Sequence, residues 1–271
     1  MKAVSSWSLH RTLGSYMSGD GPDRGSGSLA RPESGMALLE LPAELRRRGY
    51  DTVQICHFHL PSLEESYLTE LRSALEAAEI DLDAVLVDDG DLTHPTDADA
   101  HQAWIDGWLD ISAALGAHRA RVIAGKQQPS PERLRDSGRR LAKLAGDHPD
   151  VRVVTENWFD LTAGPSEVHT ILDAADGQVG LLIDLGNWKG PEKYDNLAAV
   201  APRAETCHAK CHFSADGPDH ADFRRTLGVL REAEFTGPLA LVYDGPEADE
   251  WACLDQEDAI ASAVFGPATG S

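Results

Sequence analysis

Several side chains that can bind metal or carry protons sit where apolar runs stop. "VVTENW" ends in Glu156 and Asn157, and "LLIDLGNW" carries Asp184, Asn187 and Trp188. "ETCHAKCH" carries His208, Lys210 and His212, and "VYDG" carries Asp244. Brought to one place, Glu156, Asp184, His208 and Asp244 form a ligand set for one divalent cation, Mn²⁺, Co²⁺, Mg²⁺ or Zn²⁺. Carboxylates supply charge to such a site, and an imidazole biases it toward transition metals. A cation with open positions polarises a bound carbonyl and eases removal of the neighbouring proton. That step also needs a base, which a carboxylate or a lysine can supply.

For these ends to meet, the elements that carry them must converge. Eight apolar or β-branched runs recur, at 3–9, 51–56, 83–88, 119–124, 151–155, 179–184, 204–208 and 238–243. Between them lie stretches with helical spacing. In 62–78, Leu63, Leu68, Leu71 and Leu75 mark one face, and Ser62 with Glu65 predicts a capping box. Ser130 followed by Pro131 predicts the start of a helix over 130–146. Further helices are expected at 36–48, 98–116, 165–175, 191–200, 218–233 and 247–263. Eight strand–helix units in 271 residues predict an α/β chain folded as a (β/α)8 TIM barrel, a single domain over 1–265. A doubly wound sheet also alternates, but no GxGxxG follows the first run.

In a barrel the C-terminal strand ends share one mouth. Alternation places His208, Lys210 and His212 on one face of their strand and Cys207 and Cys211 on the other. "CHAKCH" is therefore read as inward polar groups and outward packing thiols rather than a zinc knot. His10, His57 and His59 follow the first two strands and lie near the same mouth. The run "DDGD" (Asp88, Asp89, Asp91) is expected to be a solvated turn. Trp158 and Trp188 suit either the wall of a sugar site or rim packing. Residues 18–35, rich in Gly, Ser and Pro, are expected to be a flexible loop on the catalytic side, and 266–271 a disordered tail.

The bulk numbers narrow the function classes. Forty-five acidic against 24 basic residues give a formal charge of −21, which disfavours nucleic acid and anionic membrane as partners. No run of about 18 apolar residues could cross a bilayer, and the N-terminus has no apolar signal core. The four cysteines read as reduced thiols, and the expected location is cytoplasmic. Assembly into a homo-oligomer is left open.

"GYDTVQI", "LGAHRARVIAGK", "VVTENW", "LLIDLGNW" and "CHAKCHF", in this order, resemble the xylose-isomerase-like TIM-barrel superfamily of sugar phosphate isomerases and epimerases. The resemblance covers about residues 1–263. It implies one divalent metal, with Glu156, Asp184 and His208 as ligands on the fifth, sixth and seventh strands. It also implies that Lys126 and Lys210 lie near substrate. Three positions depart from the family: Val242 stands where the eighth-strand Glu is expected, Asn187 where a His is common, and Gln54 where the second strand has a Glu. Asp244, two residues past Val242 with the same parity, is the candidate replacement ligand.

The implied activity is isomerisation or epimerisation of a sugar or other polyhydroxylated small molecule. Glu156 serves as ligand and base, and Lys210 as acid or polarising group. His10, His59, Lys126, Asn157, Asn187, Trp188 and His212 are the expected substrate contacts. Val242 and Asn187 motivate an alternative: a metal-poor lyase, cyclase or binding protein of the same superfamily. A third reading, an abasic-site endonuclease, conflicts with the charge of −21.

Overall fold

The computed structural model describes residues 2–14, 22 and 35–266. The expected loop over 18–35 and tail over 266–271 lie outside the described residues, apart from residues 22, 35 and 266. Eight parallel strands close into one barrel: β1 (Ala3–Ser5), β2 (Thr52–Cys56), β3 (Asp81–Val87), β4 (Arg119–Val122), β5 (Arg152–Glu156), β6 (Gly180–Asp184), β7 (Ala204–Cys211) and β8 (Leu239–Tyr243). Each pairs with its neighbours in the chain, and β8 pairs with β1. A helix follows every strand: α1 (Leu41–Arg47), α2 (Glu65–Ala77), α3 (Ala98–Leu115), α4 (Pro131–Asp147), α5 (Pro165–Ala174), α6 (Lys193–Val200), α7 (His220–Glu232) and α8 (Glu250–Phe265). The expected (β/α)8 barrel is the observed fold.

The buried residues separate into two cores. Strand residues of one parity, with the helices, fill the layer outside the sheet, where Cys207 and Cys211 are buried. A smaller cluster that includes Ala84, Leu86, Val154 and Leu182 lies apart from it. In β5 and β6, Val154 and Leu182 share the parity of Glu156 and Asp184, so this cluster lies beneath the mouth inside the barrel.

Local expectations met mixed outcomes. Ser130 caps α4, accepting the Arg133 N–H at 3.2 Å, with Pro131 in the first turn. Ser62 does not cap α2. That helix starts at Glu65 without a side-chain cap, and Ser62 accepts the Glu64 N–H instead. The first apolar run is a strand only over Ala3–Ser5, after which the chain tightens into a 3₁₀ turn at Ser6–Leu9 and one helical turn at His10–Leu13. Buried Glu250 of α8 accepts the Arg11 and Thr12 N–H groups at 2.8 and 2.9 Å and ties that turn to the last helix.

Gly138 lets α4 approach α5 closely. A Cβ there would lie 2.5 Å from the Ile171 carbonyl oxygen and 2.6 Å from Ala174 Cβ. Gly138→Ala is expected to destabilise the fold by about 1–3 kcal/mol, the usual cost of overpacking. Urea unfolding measures this, and an unchanged midpoint would mean that the two helices separate freely.

Candidate active site and metal centre

The ends of β5, β6 and β7 bring Glu156, Asp184 and His208 together. One ligand atom from each lies within 4.8 Å of the other two, and all three residues are buried. His208 Nδ1 stands 3.5 Å from Glu156 Oε1 and 3.6 Å from Asp184 Oδ2. The other ring nitrogen, Nε2, is 2.8 Å from Gln54 Oε1. An amide oxygen only accepts, so Nε2 carries a proton, and when the ring is neutral its Nδ1 lone pair is left facing the space between the two carboxylates, where a cation would sit.

The carboxylates are oriented in turn. Asp184 Oδ1 accepts the backbone N–H groups of Gly186 and Asn187 at 2.6 and 2.8 Å, leaving Oδ2 to face His208. Asn187 Nδ2 donates to Glu156 Oε1 at 2.9 Å, while Arg121 Nε stands 3.0 Å from Glu156 Oε2. Arg121 also pairs with Asp88 and donates to the Val87 carbonyl at 3.2 Å.

Three carboxylates (Asp88, Glu156, Asp184) and two fixed cations (Arg121, Lys210) line one small cavity. Trp7, Leu86, Trp158 and Val242 form its apolar wall. Lys210 is itself paired with Asp244, so negative fixed charge exceeds positive at the site, and Glu156, Asp184 and His208 offer an N, O, O donor set of the kind that binds Mg²⁺, Mn²⁺, Co²⁺ or Zn²⁺. The residues fit a divalent cation.

Without a cation, His208 supplies the missing charge. Burial pulls its pKa down, but the Glu156 and Asp184 carboxylates outweigh burial and raise it to about 9. Burial would raise the pKa of Asp184, but the His208 proton, the Lys210 ammonium and the Gly186 N–H hold it below its ordinary range. A raised histidine pKa stabilises the folded chain fully below the unfolded value, near 6.5, and that stability is lost as pH rises through about 9. The cation-free protein is therefore expected to lose stability between these limits. Divalent affinity should rise with pH over the same window, because the cation displaces the Nδ1 proton. Titrations at several pH values test this, and a pH-independent affinity would contradict it.

The other expected site residues fall into place as follows. Lys210 Nζ is 2.8 Å from Asp244 Oδ2. Asp244 therefore holds the lysine and stands apart from the close trio. Asn157 is fully buried and faces β6, not the cavity. Its amide donates to the Asp184 carbonyl at 3.0 Å and accepts the Asp184 N–H at 2.7 Å, extending the sheet ladder by one side chain. Trp188 Nε1 donates to the Thr162 carbonyl at 2.9 Å, and the indole packs outside the cavity.

Lys126 pairs with Asp89 at the rim, its Nζ 5.5 Å from the Phe159 ring centroid. His212 is exposed in an outer groove, lined also by Asp244, that shares Asn187 and Lys210 with the main cavity. His10 Nδ1 is 3.3 Å from His59 Nε2, and His59 Nδ1 is 2.8 Å from Ser6 Oγ. His57 is fully buried against Trp104 and Trp108 and accepts the Asp88 N–H.

The expected solvated turn "DDGD" is corrected. Asp88 and Asp91 are both 2% exposed. Asp88 is held by Arg121, and Asp91 accepts from Thr93, Lys126 and Gln127. Arg121 was not anticipated. The signal was the alternation Arg119-Ala-Arg121-Val within a short strand, which puts two guanidinium stems on one face. Trp7, at the 3₁₀ turn after β1, also reaches the cavity unannounced.

Comparison with known proteins places this geometry in a family. The model for xylose isomerase-like TIM barrels matches residues 42–263. The chain belongs to the xylose isomerase-like TIM barrels. This barrel is similar to a xylose isomerase-like TIM barrel protein from Mycobacterium smegmatis, solved in complex with magnesium: 18% identity, 86% of this chain and 93% of that one, TM-score 0.64. It is also similar to the probable 3-DHS dehydratase of petrobactin synthesis from Bacillus anthracis: 13% identity, 96% and 98% coverage, TM-score 0.71. A third similar structure is D-psicose 3-epimerase with D-tagatose from Clostridium cellulolyticum H10: 14% identity, 85% and 92% coverage, TM-score 0.63. At these identities the likeness concerns the fold. No curated protein matches the sequence significantly. Among the described residues no helix of this xylose isomerase-like barrel is long and apolar enough to cross a membrane.

Proposed function

We propose that this barrel is a divalent-cation-dependent isomerase or epimerase of a sugar or similar polyhydroxylated carbonyl compound. The observation that carries the reading is the buried trio Glu156, Asp184 and His208, ligand atoms within 4.8 Å, in the same cavity as Lys210. A cation held there would polarise the substrate carbonyl and its neighbouring hydroxyl.

The chain's own groups do the rest. Glu156 accepts the proton from the carbon next to the carbonyl. Burial lowers the Lys210 pKa, but the Asp184 and Asp244 carboxylates outweigh burial and raise it, so Nζ remains an ammonium that donates toward oxygen. Trp7, Trp158 and Val242 exclude water from that side of the cavity. With Val242 at the eighth strand, that wall offers no second carboxylate, which favours isomerisation with Glu156 as the one base over epimerisation, where a second group must deliver the proton to the opposite face.

That one-sided arrangement also supports a second reading, loss of water from a hydroxycarbonyl compound, with Lys210 protonating the departing hydroxyl. A dehydratase and a ketose epimerase are both among the similar folds.

The test is incubation with Mn²⁺ and a panel of ketoses and hydroxy-keto acids in D₂O, read by NMR and mass spectrometry. Deuterium at the carbon next to the carbonyl, abolished by EDTA, is expected. Net loss of water selects the second reading. Absence of divalent binding by the purified protein would overturn both.

A further inference from the structure

The position where relatives are expected to carry a second-strand Glu holds Gln54, and the structure gives that amide a task. Gln54 is fully buried inside the barrel. Its Nε2 donates to Asp83 Oδ2 at 2.7 Å and stands 3.0 Å from Thr206 Oγ1, whose hydroxyl donates to the same Asp83 oxygen at 2.8 Å. The other Asp83 oxygen pairs with Arg119. An ion-paired carboxylate only accepts. The Gln54 NH₂ must therefore face Asp83, and its Oε1 must face His208 Nε2, 2.8 Å away.

The sheet is irregular at the two places this network needs. Val53 pairs with Leu82 and Gln54 with Ala84, so Asp83 is an extra residue in β3. Leu181 pairs with Ala204 and Leu182 with Thr206, so Glu205 is an extra residue in β7. Bulges of this kind re-aim side chains. Here they accompany the turn of Asp83 and Thr206 onto Gln54.

We infer that Asp83, acting through Gln54, is a positioning residue for the metal centre: it fixes the protonated nitrogen of His208 and so keeps Nδ1 available as a ligand. This rests on the proposed cation site. Outer partners of a metal-bound histidine commonly change affinity by roughly 10–100-fold when removed. Asp83 sits one residue further out, yet its charge decides which way the Gln54 amide points.

Asp83→Asn makes the inference testable because Arg119 dictates the new amide's orientation. The guanidinium only donates, so the asparagine oxygen turns to Arg119 and its NH₂ turns to Gln54. Gln54 then flips, its own NH₂ meets His208 Nε2, and the imidazole proton moves to Nδ1, where it blocks the cation. Gln54→Met, which removes the acceptor and leaves Asp83 in place, is the second variant.

Mn²⁺ affinity by calorimetry is expected to fall roughly 10–100-fold in both. Nitrogen-15 spectra of histidine-labelled protein are expected to show His208 protonated at Nε2 in the parent and at Nδ1 in Asp83→Asn. The spectra are taken without metal in strongly alkaline buffer, where the ring is neutral. Circular dichroism confirms that each variant is folded. Should Asp83→Asn fail to fold, Gln54→Met carries the affinity test. Unchanged affinity and an unchanged ring proton in the folded variants overturn the inference. A parent that binds no Mn²⁺ overturns the cation site, while the metal-free spectra still decide the role of Asp83.

Discussion

Arg121→Met is expected to destabilise the folded protein by about 3–5 kcal/mol, the cost of leaving buried charges without their partner. The Arg121 side chain is 2% exposed and stands between Asp88 and Glu156, whose side chains are 0% and 3% exposed. Burial alone would raise the pKa of Asp88. The adjacent guanidinium overcomes that and holds it below the ordinary carboxylate range. With a thioether there, two carboxylates remain in a water-poor cavity with no counter-charge from β4. For a chain of this size the expected fall in melting temperature is about 5–9 °C.

Two controls separate charge from packing. Asp88→Asn combined with Arg121→Met should recover part of the loss, because it removes one of the orphaned charges. Saturating Mn²⁺ should also reduce the loss if the cation sits on Glu156. Chemical denaturation with EDTA and with Mn²⁺ measures both. A loss below about 1 kcal/mol in EDTA would show that Arg121 is not the counter-ion that its position makes it.

The same residue shows what was legible in the sequence. Glu156, Asp184 and His208 could be read because each ends a run whose parity is unambiguous, and a parallel barrel brings such ends together. Arg121 could not be read the same way. A charge inside a four-residue strand looks like an edge, and only its partners on β5 and after β3 show that it faces inward. Asp88 and Asp91 read as solvated for the same reason: what desolvates them comes from Arg121, Lys126 and Gln127, over 30 residues away.

Asn157 exposes the limit of motif reading. It adjoins Glu156 in sequence, but strand alternation sends it the opposite way, and it clamps β6. Asp83 and Thr206 were hidden more deeply. The register slips beside them are set by pairing between strands, and no period within one strand announces them. Gln54 thus looked like a lost carboxylate until its hydrogen bonds to Asp83 and His208 gave it a role.

Glu156→Gln is expected to cost more than any single change outside the trio, because neither orientation of the new amide is tolerated. Asn187 Nδ2 donates to one oxygen of Glu156 at 2.9 Å, and Arg121 Nε stands 3.0 Å from the other. An NH₂ on the first side meets the Asn187 donor and turns a positive dipole toward the place of the cation. On the second side it meets the guanidinium. Divalent affinity should therefore fall by more than the roughly 10–100-fold that an outer partner is worth. Raising Mn²⁺ to saturation then separates the two roles of the carboxylate. If Glu156 is also the base, solvent-deuterium exchange into substrate should stay roughly 10²–10⁴-fold below the parent even when the site is filled. If exchange returns to the parent rate at saturation, Glu156 only holds the ion, and the proton must leave by another group. Lys210 is one alternative in the cavity, but its ammonium is held by Asp244 and by the field of Asp184. Base chemistry there would require Nζ to be deprotonated. Asp244→Asn removes one of the charges that oppose this, so it should raise exchange in that case and lower it if Nζ acts as the acid.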